Sequence, residues 1–289
     1  METGTKLRIG LPKGRMQEAV LALLAEAGLA VRLGERDYRP MVAGGGFDAK
    51  LLKSQNIVEM LATGTRDLGF TGADWVRELG ADLVEVLDTG FDPVTLVAAA
   101  PAASLGPGGE LPRRALVVAS EYEGLSRAWI AERGLEAVFV RSYGATEAFP
   151  PEDADVIIDN VATGSTLRAN RLAVVDELMR STTRLYASRE AMADPEKARG
   201  VERVALLCRS VLAARGRVML EVNVGSDALD AVVAALPCMR EPTVSALRGG
   251  GGWAVKVAAP REALPTLIQE IRARGGTDIV VTEPSWIVP

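Results

Sequence analysis

Histidine is absent from all 289 residues. That absence excludes every chemistry that needs an imidazole: Ser-His-Asp and Cys-His nucleophile activation, HExxH zinc sites and proton relays through His. Acid–base work falls to carboxylates, lysine or tyrosine. Cysteine is nearly absent as well. Cys208 and Cys238 are too few for a Cys-only structural zinc site and have no disulfide-framework spacing, so both read as reduced core residues. Aromatic residues make up only 4% of the chain. The longest apolar run, over 94–105, is interrupted by Pro101 and falls short of a membrane span. The opening METGTKLRIGLPKGR has no apolar stretch of secretory length, so a cytoplasmic location without membrane contact is the expectation. Positive charge is not in excess either. With 33 Lys and Arg against 38 Asp and Glu, the net charge is −5, which gives no global field for nucleic acid or anionic membrane. Any anionic ligand must be held by local cations.

What is present is an ordinary globular composition, 48% hydrophobic and 25% charged, long enough for two or three compact units. Hydrophobic periodicity alternates from the start. KLRIGL reads as a buried strand, followed by a helix with Met16, Ala19, Val20, Leu23, Leu24 and Ala27 on one face and Gly28 as its stop. A helix over 54–62, a strand DLGFTG, a helix over 73–79 and a strand DLVEVL continue an α/β pattern. PAASLGPGGELP, 101–112, reads as a loop or domain edge. Beyond it come ALVVAS, a helix over 126–133, and strands at AVFVR, DVIID and LAVVDELM. TTRLYAS and a helix over 195–214 are expected to return to the first unit, giving domains over 1–98 with 185–214, over 99–184 and over 215–289. The last of these changes to a βαββαβ order, that of a ferredoxin-like unit. Its RGGGGW reads as a hairpin loop, since no helix follows.

The most informative segment is DVIIDNVATGSTLRANRL. A buried strand ends at Asp159 and runs through Ala162 into Thr163, Gly164, Ser165 and Thr166, which open a short helix. Hydroxyls and backbone N–H groups converging there, with a glycine for close approach, suit a phosphate; an ordinary Ser/Thr cap is the alternative. Lys13 and Arg15 follow the first strand, at the carboxyl end where open α/β sheets bind ligands. They belong to neither a Walker nor a GxGxxG motif, and a solvated basic turn is their bland reading. Asp74 in FTGAD and Glu147 in SYGATEAF follow strands too, and each could orient a sugar hydroxyl or an amino group, or cap a helix. Asp88-Thr89-Gly90 matches the aspartic-protease tripeptide, but a single copy in an α/β pattern lacks the two carboxylates that chemistry needs.

Taken together, LPKGR, DLGFTGAD, ASEY, YGATEA and DNVATGSTLRAN resemble the ATP phosphoribosyltransferase family, in its long form, the first enzyme of histidine biosynthesis. The resemblance implies a two-lobed, periplasmic-binding-protein-like catalytic unit and a carboxyl-terminal ferredoxin-like, ACT-like regulatory domain. It implies that the 159–166 loop holds the 5-phosphate and ribose of phosphoribosyl pyrophosphate (PRPP), with Lys13 and Arg15 facing substrate phosphates. Asp74 and Glu147 would line the cleft, and Asn223 and Thr243 in LEVNV and EPTVS would lie at a histidine effector site. Mg2+ held through substrate phosphates, ATP as second substrate, and homo-oligomers as dimers and hexamers are further implications. Two stretches depart from the family pattern. Where the family often carries Arg and Asp-Ile-Pro, this chain has Lys53-Ser54-Gln55-Asn56-Ile57-Val58, and GGGFDAKLL is unusual. A two-lobed α/β unit also describes solute-binding proteins, so a non-catalytic binding protein for phosphorylated metabolites is the competing expectation.

Overall fold

The computed structural model describes residues 6–34, 38–237, 239 and 241–288; Cys238 lies outside the described residues. Contacts divide the chain into two units, Met1–Ala22 with Leu29–Ala205, and Leu23–Gly28 with Leu206–Pro289.

In chain order, the structure begins with β1 (Leu7–Pro12), α1 (Gln17–Glu26), the short β2 (Val31–Arg32) and β3 (Met41–Val42), then β4 (Phe47–Leu52) and α2 (Ser54–Ala62). Next come β5 (Leu68–Gly72), α3 (Ala73–Glu78), β6 (Leu83–Pro101), β7 (Leu116–Ser120) and α4 (Glu123–Glu132). It continues with β8 (Ala137–Arg141), β9 (Val156–Val161), α5 (Ser165–Ala169), β10 (Leu172–Ser188), α6 (Arg189–Ala193) and α7 (Pro195–Arg215). Eight strands form one sheet in the order β4-β1-β5-β10-β6-β9-β7-β8. One lobe is built on the parallel set β4, β1 and β5, the other on the parallel set β9, β7 and β8. The unusual GGGFDAKLL stretch thus becomes a glycine turn feeding β4, which lies parallel to β1.

Periodicity reads DLVEVL and the apolar run after it as separate segments, and LAVVDELM and TTRLYAS likewise. The structure joins each pair into one long strand, β6 of 19 residues and β10 of 17. These two pair antiparallel from Leu172 opposite Pro101 to Ser188 opposite Leu83. Their register shifts between Val174 and Tyr186 let one ribbon serve both lobes, since bulges bend and twist a strand without ending it. This is the two-lobed arrangement of periplasmic-binding-protein-like folds.

β9 illustrates why such strands read as unbroken apolar runs. Val156 and Ile158 enter the cluster of Leu96, Leu116, Val118 and Trp129, while Ile157 enters that of Val97, Ala119 and Leu167 on the other face. A strand covered on both sides has no polar face to alternate with. At the β1–β5 contact, a Cβ on Gly69 would stand 2.7 Å from Ile57 Cγ2 and 3.1 Å from the Gly10 carbonyl, so only glycine lets α2 seat on the sheet.

In the second unit, β11 (Arg217–Val224), α8 (Leu229–Val233), β12 (Thr243–Ala246), β13 (Trp253–Pro260), α9 (Leu264–Ala273) and β14 (Gly276–Thr282) form a fully antiparallel sheet in the order β12-β13-β11-β14. This is the ferredoxin-like order. Val218, Leu220, Val222 and Val224 alternate into a core with Val255, Val257, Leu267 and Ile271. Cys208 is buried, and burial pushes its thiol up to about 12, so it stays protonated and inert. Among the described residues no helix is long and apolar enough to cross a membrane.

Candidate active site

The parallel strands of the two lobes deliver most of the functional side chains from their carboxyl ends, as open α/β sheets do. Lys13 and Arg15 follow β1, Lys53 follows β4, Asp74 follows β5, Tyr122 follows β7, Glu147 follows β8, and β9 runs out into the 159–166 loop. That loop turns at Gly164, whose φ is +70°; a Cβ there would stand 3.1 Å from Arg168 Nη1. Arg168 Nη1 donates to the Thr163 carbonyl at 3.1 Å, and the hydroxyls of Thr163 and Ser165 are bonded at 3.0 Å. The loop is therefore braced before any ligand arrives.

An open cavity of 340 Å³ is lined by Arg15, Glu147 and the continuous run from Asp159 through Leu167. Seven of the sequence-expected residues besides Arg15 stand around it: Glu147, Asp159, Ala162, Thr163, Gly164, Ser165 and Thr166. Burial pushes the Asp159 carboxyl up to about 6; the Glu147 and Glu121 carboxylates add to this, and the N–H of Asn160, 2.7 Å from Oδ1, opposes it. The cavity is polarised. Asp159 and Asn160 supply acceptors at the strand end, while Thr163, Ser165 and Thr166 supply hydroxyl donors at the start of α5.

Lys13 lines a neighbouring cavity of 500 Å³ with Tyr38, Arg39, Lys50, Leu51, Leu52, Lys53 and Asn56. Its ammonium lies 5.0 Å from the centroid of the Tyr38 ring, a cation–π distance. Four cations and, among the described residues, no carboxylate line this space. The two cavities flank the same turn, because Lys13 and Arg15 are two residues apart on it. Residue order alone marks neither Arg39 nor Lys50, and it marks Lys53 only as part of a departure from the family pattern. Lys53 occupies the position just past β4, where the strand-end rule places ligand-facing residues.

Asp74 does not line either cavity. It is 5% exposed and accepts from Tyr122 Oη at 2.6 Å and from Ser181 Oγ at 2.7 Å. Asp88 of the Asp-Thr-Gly tripeptide is engaged by Thr182 Oγ1 at 2.7 Å and by Arg184 at 3.1 Å, and Arg184 pairs at the same time with Glu85 at 2.7 Å, so the carboxylate is held in an ion pair and shares no proton with a second acid. In the second unit, Asn223 on β11 and Thr243 on β12 share the sheet face turned away from the helices, with the Lys256–Glu221 ion pair of 2.6 Å between their strands. Asn223 Nδ2 donates to Asp278 Oδ2 at 3.1 Å. Asp278 lines a cavity of 580 Å³ with Arg272 and Thr277. Among the described residues no cluster of three or more Cys, Asp or Glu side chains forms a metal site.

The ATP phosphoribosyltransferase family matches residues 53–209, and the family described as HisG, C-terminal domain matches residues 214–284. The ATP phosphoribosyltransferase of Pelotomaculum thermopropionicum is 35% identical over 290 aligned positions, covering 98% of this chain and 100% of its own length. The chain belongs to the ATP phosphoribosyltransferase family. The ATP phosphoribosyltransferase of Koribacter versatilis is 37% identical over 280 positions, covering 95% of this chain and 96% of that one. Among solved structures, the ATP phosphoribosyl transferase (HisG:HisZ) complex from Thermotoga maritima superposes with a TM-score of 0.62 at 20% identity, over 70% of this chain and 98% of that one. That likeness bears on the fold. The family matches take in Lys53, Asp74, Glu147, the 159–166 loop and the ferredoxin-like unit, while Lys13 and Arg15 precede the matched residues.

Proposed function

We propose that this chain transfers the 5-phosphoribosyl group of PRPP to N1 of ATP, giving phosphoribosyl-ATP and pyrophosphate, the first step of histidine biosynthesis. The observation that carries this reading is the pairing of a donor-rich phosphate loop in one cavity with a basic cavity on the other side of the same β1 turn. The loop suits the 5-phosphate, which backbone N–H groups and hydroxyls recognise. The basic cavity suits the pyrophosphate that departs from the anomeric carbon.

In the transfer, the lone pair of adenine N1 forms the new bond to that carbon while the bond to the pyrophosphate oxygen breaks, and the electron pair leaves with pyrophosphate. N1 carries no proton at neutral pH, so no strong base is needed. The transition state has oxocarbenium character, as in other glycosyl transfers. What the protein must supply is positioning and cationic stabilisation of growing negative charge on the leaving group. Arg15, Lys13, Lys50 and Lys53 are the groups placed to give it.

Asp159 and Glu147 are hard oxygen donors in the phosphate-loop cavity, and they fit Mg2+, which prefers one or two carboxylates plus waters and substrate phosphates. Bound there, the ion would neutralise phosphate charge. The separate ferredoxin-like unit supports feedback by histidine. Arg272 and Asp278 beside one cavity offer a cation for a carboxylate and a carboxylate for an ammonium. We place the enzyme in the cytoplasm as a homo-oligomer, dimer and hexamer, because effector control runs through states that interfaces can distinguish.

The deciding experiment is pyrophosphate release from PRPP and ATP with Mg2+, with histidine added to a parallel sample. Release that needs both substrates and falls with histidine supports catalysis and regulation together. Binding of PRPP or ATP without release replaces the transferase with a non-catalytic binding protein.

A further inference from the structure

Resting on that reading, we propose that Asn160 is the hydroxyl acceptor for the sugar of the phosphoribosyl donor, and that Asp74 and Tyr122 are positioning residues that set its amide. Asn160 lines the phosphate-loop cavity. Its Nδ2 donates to Tyr122 Oη at 3.0 Å, and Tyr122 Oη donates to Asp74 Oδ2 at 2.6 Å. Asp74 is held from its other side, since Oδ1 accepts from Ser181 Oγ at 2.7 Å while the Asp74 N–H donates to the same Oγ at 3.0 Å.

The direction of this chain follows from counting protons. A carboxylate has none to give, so Tyr122 must give its single proton to Asp74. Burial, reinforced by the Asp74 carboxylate, holds the Tyr122 phenol protonated far above its usual range. Its oxygen can then only accept, and Asn160 must present N–H to it. The two ends of an amide have nearly the same shape, so hydrogen bonding alone decides which faces where. With Nδ2 committed to Tyr122, the carbonyl Oδ1 is the end left for a ligand, and among the described residues it takes no hydrogen bond.

Tyr122 is a rigid anchor for this purpose. It is 1% exposed and stacks on Trp75 with ring centroids 4.5 Å apart. An acceptor oxygen repels a phosphate and attracts an O–H. Asn160 also lies beside Asp159, at the acceptor end of the loop, with the hydroxyl donors Thr163, Ser165 and Thr166 following it. The sugar ring therefore belongs over Asp159 and Asn160 and the 5-phosphate over the start of α5.

The test uses the full chain. Asn160→Ala, at an exposed position, should raise the KM for PRPP roughly three- to tenfold, the worth of one neutral hydrogen bond, and leave the KM for ATP and the Tm unchanged. By calorimetry it should weaken ribose 5-phosphate by a similar factor and leave inorganic phosphate alone. Tyr122→Phe should raise the PRPP KM by a comparable factor in the wild-type background, but by less than about twofold in the Asn160→Ala background, because it acts only through that amide. An equal factor in both backgrounds overturns the positioning role. An Asn160→Ala protein with unchanged affinity for PRPP and ribose 5-phosphate overturns the acceptor role. A wild-type protein that binds PRPP without turnover overturns the transferase reading instead, and the calorimetric affinities still decide the acceptor.

Discussion

The Asp67 carboxylate, its side chain 1% exposed, stands 2.6 Å from Arg8 Nη2. Arg8 also sends its backbone N–H to Asp67 Oδ2 at 2.7 Å, and Lys197 of α7 reaches Oδ1 at 3.1 Å. One carboxylate thus joins β1, the entry to β5 and α7. Removing one member of such a buried set leaves the other charges without compensation.

Asp67→Asn should accordingly cost about 3–5 kcal/mol in stability by urea unfolding, the usual penalty for breaking a buried pair from one side. Burial alone would raise the Asp67 pKa and is its largest single influence, but the bonds from Arg8 and Lys197 outweigh it, so the pKa lies below the ordinary range. A depressed folded pKa gives stability that is fully present above the unfolded value near ~4 and is lost as pH falls through the lower folded value. Wild-type stability should drop there, and Asp67→Asn should flatten that limb. A loss under 1 kcal/mol would show that the cluster is replaceable.

Gly164→Val and Thr166→Ala test the phosphate loop. A β-branched residue at φ +70° carries a strain of about 1–2 kcal/mol or more, and its Cβ would press on Arg168. Both variants should raise the PRPP KM, Gly164→Val by the larger factor, with far-UV circular dichroism unchanged. Unaltered PRPP kinetics in both would remove the loop from the site.

Lys53→Met removes one of four cations from the second cavity while keeping the length of the side chain. Product inhibition by pyrophosphate should weaken by about tenfold, in line with a charge-assisted contact, and its dependence on salt should become shallower. Steady-state inhibition at two ionic strengths measures both. Equal inhibition constants for the two proteins would place the leaving group elsewhere.

Asp159 gives a pH signature of opposite sign to Asp67. Its folded pKa is raised to about 6, so in the ligand-free protein its charge costs stability increasingly as pH rises from the unfolded value near ~4 through about 6. Asp159→Asn lacks that cost. The Tm of the variant relative to wild type should increase between pH 4 and pH 7 and then level off. A difference independent of pH would mean that Asp159 titrates normally.

Much of this molecule is legible from residue order. Ile157, flanked by Val156 and Ile158, is recognisable as a two-sided strand, and Gly28 and Gly64 stop the helices they follow, with φ of +77° and +65°. The 159–166 loop is legible because its glycine, hydroxyls and preceding apolar strand are contiguous, so local chemistry suffices. The unity of β6 and of β10 is not legible in the same way. Polar residues such as Asp88, Asp92, Thr182 and Thr183 interrupt the pattern where the ribbon passes between lobes, and they are accommodated in pairs, Thr182 Oγ1 donating to Asp88 Oδ1 at 2.7 Å and Thr183 Oγ1 to Asp92 Oδ2 at 3.0 Å.

The exclusion of imidazole chemistry, the alternation of strand and helix, the βαββαβ tail and the glycine- and hydroxyl-rich turn at 163–166 are all readable in residue order, because each depends on residue types or on neighbours along the chain. That Lys13 and Arg15 line different cavities, that Arg39, Lys50 and Lys53 gather beside Lys13, and that Asp74 bonds inward to Tyr122 are set by the folded arrangement. Those outcomes depend on which strand ends the sheet order brings together. Asp74 and Tyr122 meet across 48 residues of chain because β5 and β7 end at the same cleft, a closeness that no local pattern encodes.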